Sequence, residues 1–153
     1  MFQTLGRDCH PAATSDELAA HYAVRHRVFV EEQHIFDGSD RDARDDDPLT
    51  IHVVAYAGRV IGGAVRLYPL DHAGELWRGD RLAVLPEHRG QSLGTPLVRY
   101  AVKTATERGG HLMVAHIQLG NIRYFQRLGW RCSGDVETYA NLPHQPMAID
   151  LRA

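Results

Sequence analysis

Leu82-Ala83-Val84-Leu85-Pro86-Glu87-His88-Arg89-Gly90-Gln91-Ser92-Leu93-Gly94-Thr95 is the stretch whose reading decides the fold. Its apolar start leads through Pro86 into small residues and then into a segment where Leu97, Ala101, Val102 and Ala105 recur at helical spacing. A strand therefore runs into a loop, and the loop into a helix whose first turn accepts Pro96. Free backbone N–H groups and the helix dipole converge where that helix begins, and such a point attracts phosphate. Gly90 and Gly94 let an anion approach the backbone, with Ser92 and Thr95 as hydroxyl donors. The plainer reading of a bare Gly-x-x-x-Gly is an ordinary strand-to-helix turn. The chain has no Gly-x-x-x-x-Gly-Lys and no Gly-x-Gly-x-x-Gly, which sets aside P-loop and dinucleotide readings.

Working outward, residues 51–56 and 60–68 are apolar runs joined at Ala57-Gly58-Arg59, which predicts a hairpin. Residues 76–84 add a third antiparallel strand after the turn at Asp71-His72-Ala73-Gly74. Beyond the helix, Gly109-Gly110 supplies a stop, and residues 112–117 form a short apolar run typical of a buried strand. Strand, helix and strand then make a right-handed parallel crossover. Near the start, Thr14-Ser15-Asp16-Glu17 has capping-box spacing, with Thr14 as cap and Glu17 reaching back. The helix it opens breaks near Arg27 and ends before Asp37-Gly38-Ser39-Asp40. Asn121 caps a short helix ending at Gly129, and residues 147–151 form the last strand. The fold class expected is α/β, mixed α+β: an antiparallel meander plus a parallel β-α-β crossover.

With 153 residues, of which 44% are hydrophobic and 24% charged, the chain reads as one globular domain spanning 1–153. No apolar run approaches the roughly 20 residues of a membrane helix. The first eight residues lack the basic and apolar regions of a signal peptide, so a cytoplasmic location is expected. Cys9 and Cys132 then read as free thiols. A formal net charge of -2 leaves no strongly basic face for nucleic acid, and the partner expected is a small molecule, with neither nucleic acid nor membrane. The oligomeric state stays open, a homodimer among the options. Ten histidines raise the question of a metal, but His-Glu-x-x-His and Cys-x-x-Cys are missing and His111 and His116 have opposite strand parity, so no metal is expected.

Arg89-Gly90-Gln91-Ser92-Leu93-Gly94 resembles the coenzyme A loop of the GNAT acyltransferase superfamily, Gln/Arg-x-x-Gly-x-Gly/Ala, with Ser92 in place of the middle glycine. The resemblance extends to Arg81-Leu82-Ala83-Val84 before the loop and to Asn121-Ile122-Arg123-Tyr124-Phe125-Gln126-Arg127-Leu128-Gly129-Trp130, which looks like the family's Asn-led segment closing in Gly-Phe. Upstream, Arg27-Val28-Phe29-Val30-Glu31-Glu32-Gln33 is similar to the opening helices of an ElaA-like branch. That branch includes acetyltransferases of nitrilase gene clusters and bears a distant likeness to acyl-homoserine-lactone synthases. The resemblance implies a splayed central sheet with acetyl-CoA as cosubstrate and no metal. It also implies that pantetheine pairs with Leu82, Ala83 and Val84, and that pyrophosphate lies on the amides of residues 89–95. A backbone N–H near Leu82 or Ala83 would then stabilise the oxyanion. Asn121 and Phe125 join the cofactor side by the same resemblance. Arg89, Arg99 and Lys103 are the cations available to attract the polyanion, the last two equally readable as a solvated helix face.

Transfer to an amine needs a base, because an amine nucleophile must lose its proton. His116 leads the candidates for its titration range, followed by Glu75, Asp80 and Glu32. Each has a plain structural alternative as a surface charge, a salt-bridge residue or a core histidine. The family's acid is a tyrosine four residues before the closing glycine; that position is Phe125 here, and Tyr124 beside it points about 100 degrees away on a helix. Phe29, Glu32, Arg66, Trp77 and His144 are the residues expected to line the acceptor pocket. The acidic run Asp37, Asp40, Asp42, Asp45, Asp46 and Asp47 could attract a cationic acceptor, but a solvated loop is the plainer expectation. The leading reading is an N-acetyltransferase acting on a small amine or amino-acid-like acceptor by direct attack. The alternatives are a coenzyme A-binding sensor or regulatory module and an acyl-homoserine-lactone-synthase-like acyltransferase.

Overall fold

The computed structural model describes residues 8–91 and 93–152. Residues 1–7, read above for targeting, and Ser92, read above as a phosphate donor, lie outside the described residues. In chain order the elements are β1 (Cys9–Pro11), α1 (Ser15–Arg25), β2 (Ile51–Ala57), β3 (Val60–Pro69), β4 (Leu76–Val84), α2 (Gly94–Glu107), β5 (Leu112–Gln118), α3 (Ile122–Arg127), β6 (Arg131–Cys132), β7 (Glu137–Tyr139) and β8 (Leu142–Asp150). They form one mixed sheet in the order β1-β2-β3-β4-β5-β8-β6, with β7 on β8. The meander and the parallel β4-α2-β5 unit stand where the sequence puts them. Three short strands, β1, β6 and β7, carry too few residues for a periodicity signal, and β8 starts five residues before the expected Met147.

The two sheet faces are filled differently. Val53, Ala55, Val65 and Leu67 pack under Leu97, Ala101 and Ala105 of α2, and Gly63 is a glycine because an added Cβ would lie 2.8 Å from Leu97. On the other face, Val24 of α1 joins Val28, Phe29, Ala64 and Ala83. Thr14 caps α1, accepting the Glu17 N–H at 3.1 Å. Glu17 does not complete the capping box: its carboxylate takes the Ala13 N–H at 2.8 Å and the Tyr56 hydroxyl at 2.7 Å, stitching the helix start to β2. The expected break is a change of helix type, α1 widening into a π-helix at His26–Glu32 that turns Val28 and Phe29 inward.

Residues 34–47 keep Asp37 and Asp46 at the surface but are not a wholly solvated loop, because Asp40 and Asp45 are buried. They form a strap whose carboxylates meet three arginines buried in the α1 face of the sheet. Arg25 binds Asp40 at 2.7 Å and Asp45 at 2.8 Å; Arg66 binds Asp80 at 2.8 Å and Asp42 at 2.7 Å; Arg81 binds the Asp40 carbonyl at 2.9 Å. Arg25 and Arg66 have no exposed surface, and Asp40 and Asp45 are buried with them. An isolated guanidinium in such a place would be very costly, so the sequence supplies the matching carboxylates as Asp40, Asp42 and Asp45. Burial alone would raise the Asp45 carboxyl, yet hydrogen bonds from His52, Arg25 and the Asp42 N–H outweigh it and hold it well below the usual carboxylate range. Asp40, Asp42 and Asp45 are thus paired with the arginines of the strap's own side of the sheet.

His21 sits against this network, donating from Nδ1 to the Val53 carbonyl at 3.0 Å while Nε2 faces Arg25 at 3.2 Å. Burial, and then the Arg25 charge, push its pKa down to about 3. The unfolded chain therefore binds a proton that the folded one refuses, so His21 makes stability fall as pH drops from about 6.5 toward 3. Urea melts should show about 2 kcal/mol lost between pH 6.5 and 5 through this one group, and a His21→Gln variant should show a correspondingly flatter slope. Equal slopes for the two proteins would contradict the assignment.

Candidate active site

The site begins with a register change. Arg66 pairs with Asp80 but Ala64 pairs with Ala83, so β4 carries one extra residue there. Arg81 occupies that bulge with φ 54, a left-handed conformation that a side chain rarely adopts without external support. The support is visible: its guanidinium binds the Asp40 carbonyl, Asp42 at 3.3 Å and the Tyr139 hydroxyl at 3.0 Å, and lies over the Phe36 ring. A bulge flips strand parity. Before it, Arg78 and Asp80 share the face of Tyr68 and Arg66; after it, Ala83 takes that face and Leu82 and Val84 turn to the α2 side.

Beside the bulge the sheet opens. β4 and β5 pair only from Leu76–Leu112 to Arg78–Val114, and β5 continues to Gln118 with β8 alone as neighbour. The Leu85 N–H donates to the Gly62 carbonyl at 2.8 Å, so Ala83 and Leu85 bond β3 while the N–H and C=O of Leu82 and Val84 face the gap. The Leu82 N–H therefore faces the cleft and the Ala83 N–H is used within the sheet.

The cleft between the splayed strands has one wall of Leu82, Val98, Ala101, Ala115, Ile117, Phe125 and Trp130, and another of Phe29, Phe36, Arg78, His116, Tyr139 and His144. His116 lies in it with Nε2 2.7 Å from Glu137 Oε1 and its ring stacked on Tyr139 at 4.8 Å. His144 is there too, one ring nitrogen on the Leu142 carbonyl at 2.9 Å. Asn121 also lines the cleft and, contrary to expectation, makes no capping hydrogen bond to α3. Phe29 is also on the wall.

Several expected residues stand elsewhere. Glu75 is in the exposed turn at the far end of β4, 3.8 Å from His111. Glu32 grips Arg89 at 2.7 and 2.6 Å outside the cleft, which lowers its carboxyl and leaves it no role as base. Asp80 borders the cleft, but its oxygens already accept from Arg66 and from the Tyr68 hydroxyl at 3.0 Å. Arg66 lies behind Asp80, fully buried, and Trp77 is a core residue whose indole N–H donates to the Gly74 carbonyl at 2.9 Å. Tyr124 points away from the cleft, its hydroxyl 2.5 Å from Thr95 Oγ1.

The segment that the sequence offers as an anion loop is helical before Ser92. Pro86–Gln91 winds as a 3-10 helix before α2 begins at Gly94. Arg89 does not project toward an anion: besides Glu32 it donates from Nε to the Val84 carbonyl at 3.0 Å, stapling the loop to the open edge of β4. Gly90 has open space around it, and a Cβ at Gly94 would come 3.4 Å from the Tyr124 hydroxyl. Lys103 is paired along its own helix with Glu107 at 4.0 Å.

Four buried side-chain polar atoms lack a partner among the described residues, and two of them, Arg78 Nε and Trp130 Nε1, belong to the cleft. Unpaired buried donors are costly, and a pair of them in one cleft marks a place shaped for polar ligands. Among the described residues no three His, Cys, Asp or Glu side chains gather as a metal site, and no helix is long and apolar enough to cross a membrane. Arg78, Arg81, Phe36 and Tyr139 were missed by sequence reasoning. Strand parity places Arg78 on the face of Asp80, but the bulge that reverses parity at Arg81 leaves no mark in the sequence. Tyr139 is delivered by a tight turn in which Ala140 and Asn141 both have positive φ, without the Asn-Gly signature of such turns.

The profile of the acetyltransferase (GNAT) family matches residues 12–130. The chain belongs to that family and is an acyltransferase. YjcF of Bacillus subtilis, an uncharacterized N-acetyltransferase, is 27% identical over 140 residues, covering 91% of this chain and 96% of that protein. A Lactobacillus plantarum structure described as an N-acetyltransferase superposes with a TM-score of 0.82 at 26% identity, covering 94% and 97% of the two chains. Escherichia coli ElaA, with a TM-score of 0.78 at 22% identity over 93% and 97%, shares the fold.

The Arg81 bulge can be tested apart from catalysis. Arg81→Ala removes the guanidinium and keeps a Cβ at φ 54, whereas Arg81→Gly removes both burdens. Chemical denaturation should show about 3–5 kcal/mol lost in the alanine variant and about 1 kcal/mol less lost in the glycine variant. Alanine and glycine variants of equal stability would mean that the bulge conformation is not under strain.

Proposed function

We propose that this protein transfers the acetyl group of acetyl-CoA to the primary amine of a small acceptor by direct attack. The observation that carries this reading is the unpaired edge of β4 at Leu82 and Val84, running from the α2 N-terminus toward His116 along one cleft. Bound acetyl-CoA supplies an acyl group activated as a thioester. Val84 offers its N–H to the pantetheine arm, and the amides around Gly90 and Gly94 receive the pyrophosphate at the helix start. The Trp130 indole N–H is a further donor for this ligand. The Leu82 N–H holds the negative charge that develops on the thioester oxygen, a stabilisation that depends on the fixed bulge before it.

His116 is the base in this reading. Glu137 accepts from Nε2, which orients the ring and leaves Nδ1 to take the amine proton. The departing thiolate is protonated by water, because Phe125 has no proton to give and the Tyr124 hydroxyl is committed to Thr95. Family membership and the shared folds support acyl transfer, and the cleft chemistry supports a small acceptor. Thiol release from acetyl-CoA across an amine library is the decisive assay. His116→Ala should lower turnover by about 10²- to 10⁴-fold across pH 6 to 9 with coenzyme A affinity kept, while Tyr124→Phe should keep most activity. Unchanged rates in folded His116→Ala would remove the base. A parent that binds coenzyme A and releases no thiol with any amine would favour a sensor module instead.

A further inference from the structure

Among the described residues, Arg78 is the one cleft-lining cation that the fold does not use. Arg81, the other arginine of the cleft, is bonded to Asp40, Asp42 and Tyr139. Arg78 makes no ion pair and no side-chain hydrogen bond with any described residue, and its Nε is buried without a partner. A guanidinium is charged at every physiological pH and presents a planar fork of donors, so a partly buried one left unpaired is costly unless a ligand completes it. Asp80, two residues along the same strand, has both oxygens held by Arg66, and Glu137 is held by the cleft's His116. Asp40, Asp42 and Asp45 of the strap are spent on Arg25, Arg66 and Arg81.

Position adds the second argument. Arg78 pairs in register with Val114, so it lies on the same sheet face as His116, two residues further along β5. Tyr139, against which His116 stacks, is on that face as well. Arg78 stands where β4 and β5 part, and the Leu82 N–H lies further along the same strand, beyond the bulge. An acceptor whose amine meets His116 therefore has a cation within a short reach on the same wall. A polyamine would meet unrelieved positive charge there, and an amine bearing a carboxylate would not.

We infer that Arg78 anchors a carboxylate of the acceptor, so that the substrate class is an amino acid or a close amino-acid derivative. This rests on the acyl-transfer reading given above. The fork donates to the two carboxylate oxygens side by side and turns the amine toward His116. It sets the acceptor's KM, while the acetyl-CoA side of the cleft is served by other residues.

The test uses leucine, phenylalanine and lysine, each beside its carboxamide, with acetyl-CoA and a thiol-release readout. The parent should favour the free acids, and Arg78→Gln should raise the KM for the acids by about ten- to a hundredfold with the carboxamides and acetyl-CoA little affected. Arg78→Lys should recover part of the preference. Because the arginine has no partner to lose, thermal unfolding of Arg78→Met should be no lower than that of the parent, which separates a binding role from a structural one. Carboxamides used as well as acids, or an acid preference surviving Arg78→Gln, would overturn the inference while leaving acyl transfer intact. No thiol release with any amine would overturn the transfer reading and this inference with it.

Discussion

Three arginines, Arg25, Arg66 and Arg81, are buried on one face of the sheet, and no fold can bury them without carboxylates to meet them. The chain meets that constraint with a strap of aspartates between the opening helices and the first hairpin. Asp40 and Asp42 reach Arg81 in turn, and by holding its guanidinium they hold the backbone of β4 in a left-handed bulge. The bulge reverses the facing of Leu82 and Val84, and the strand beyond it runs free of β5. A charge-matching requirement far from the α2 helix thus positions the open edge on which the proposed chemistry depends.

The cleft that results has two unlike walls. The α2 side is apolar, with the Trp130 N–H as an unmatched donor, and suits a long flexible arm that pairs with the backbone. The other side carries a histidine held by a carboxylate, a stacked tyrosine and a guanidinium with no partner among the described residues, groups that handle a proton and an anion. A thioester approaching from one wall and an amine from the other would meet at the Leu82 N–H. The GNAT membership of the chain fits that division.

The sequence is most legible where local chemistry and periodicity agree. The hairpin, the third strand, the crossover helix and the buried strand after it all follow from alternating or helical runs bounded by glycine turns. Legibility fails where a residue's partner is distant in the chain. Arg66 and Asp80 look like site residues when read singly, and only the register of β3 against β4 shows them paired with each other. Arg89 matches the cofactor motif, yet Glu32, 57 residues away, claims its guanidinium. The aspartates of the strap resemble a solvated loop because composition does not reveal that three arginines are waiting for them. Arg78 is invisible for the opposite reason: its lack of a partner can be recognised only once every neighbour is known.

The proposed acyl transfer requires the edge of β4 beyond the bulge to be an unfilled strand position that coenzyme A completes. Residue-resolved amide hydrogen exchange with and without coenzyme A tests it most directly. The Ala83 amide, bonded within the sheet, should exchange slowly in both states. The amides of Leu82 and Val84 should exchange rapidly in the free protein and become protected when coenzyme A binds. Bound coenzyme A that leaves Leu82 and Val84 as exposed as before would show that the ligand does not pair with this edge.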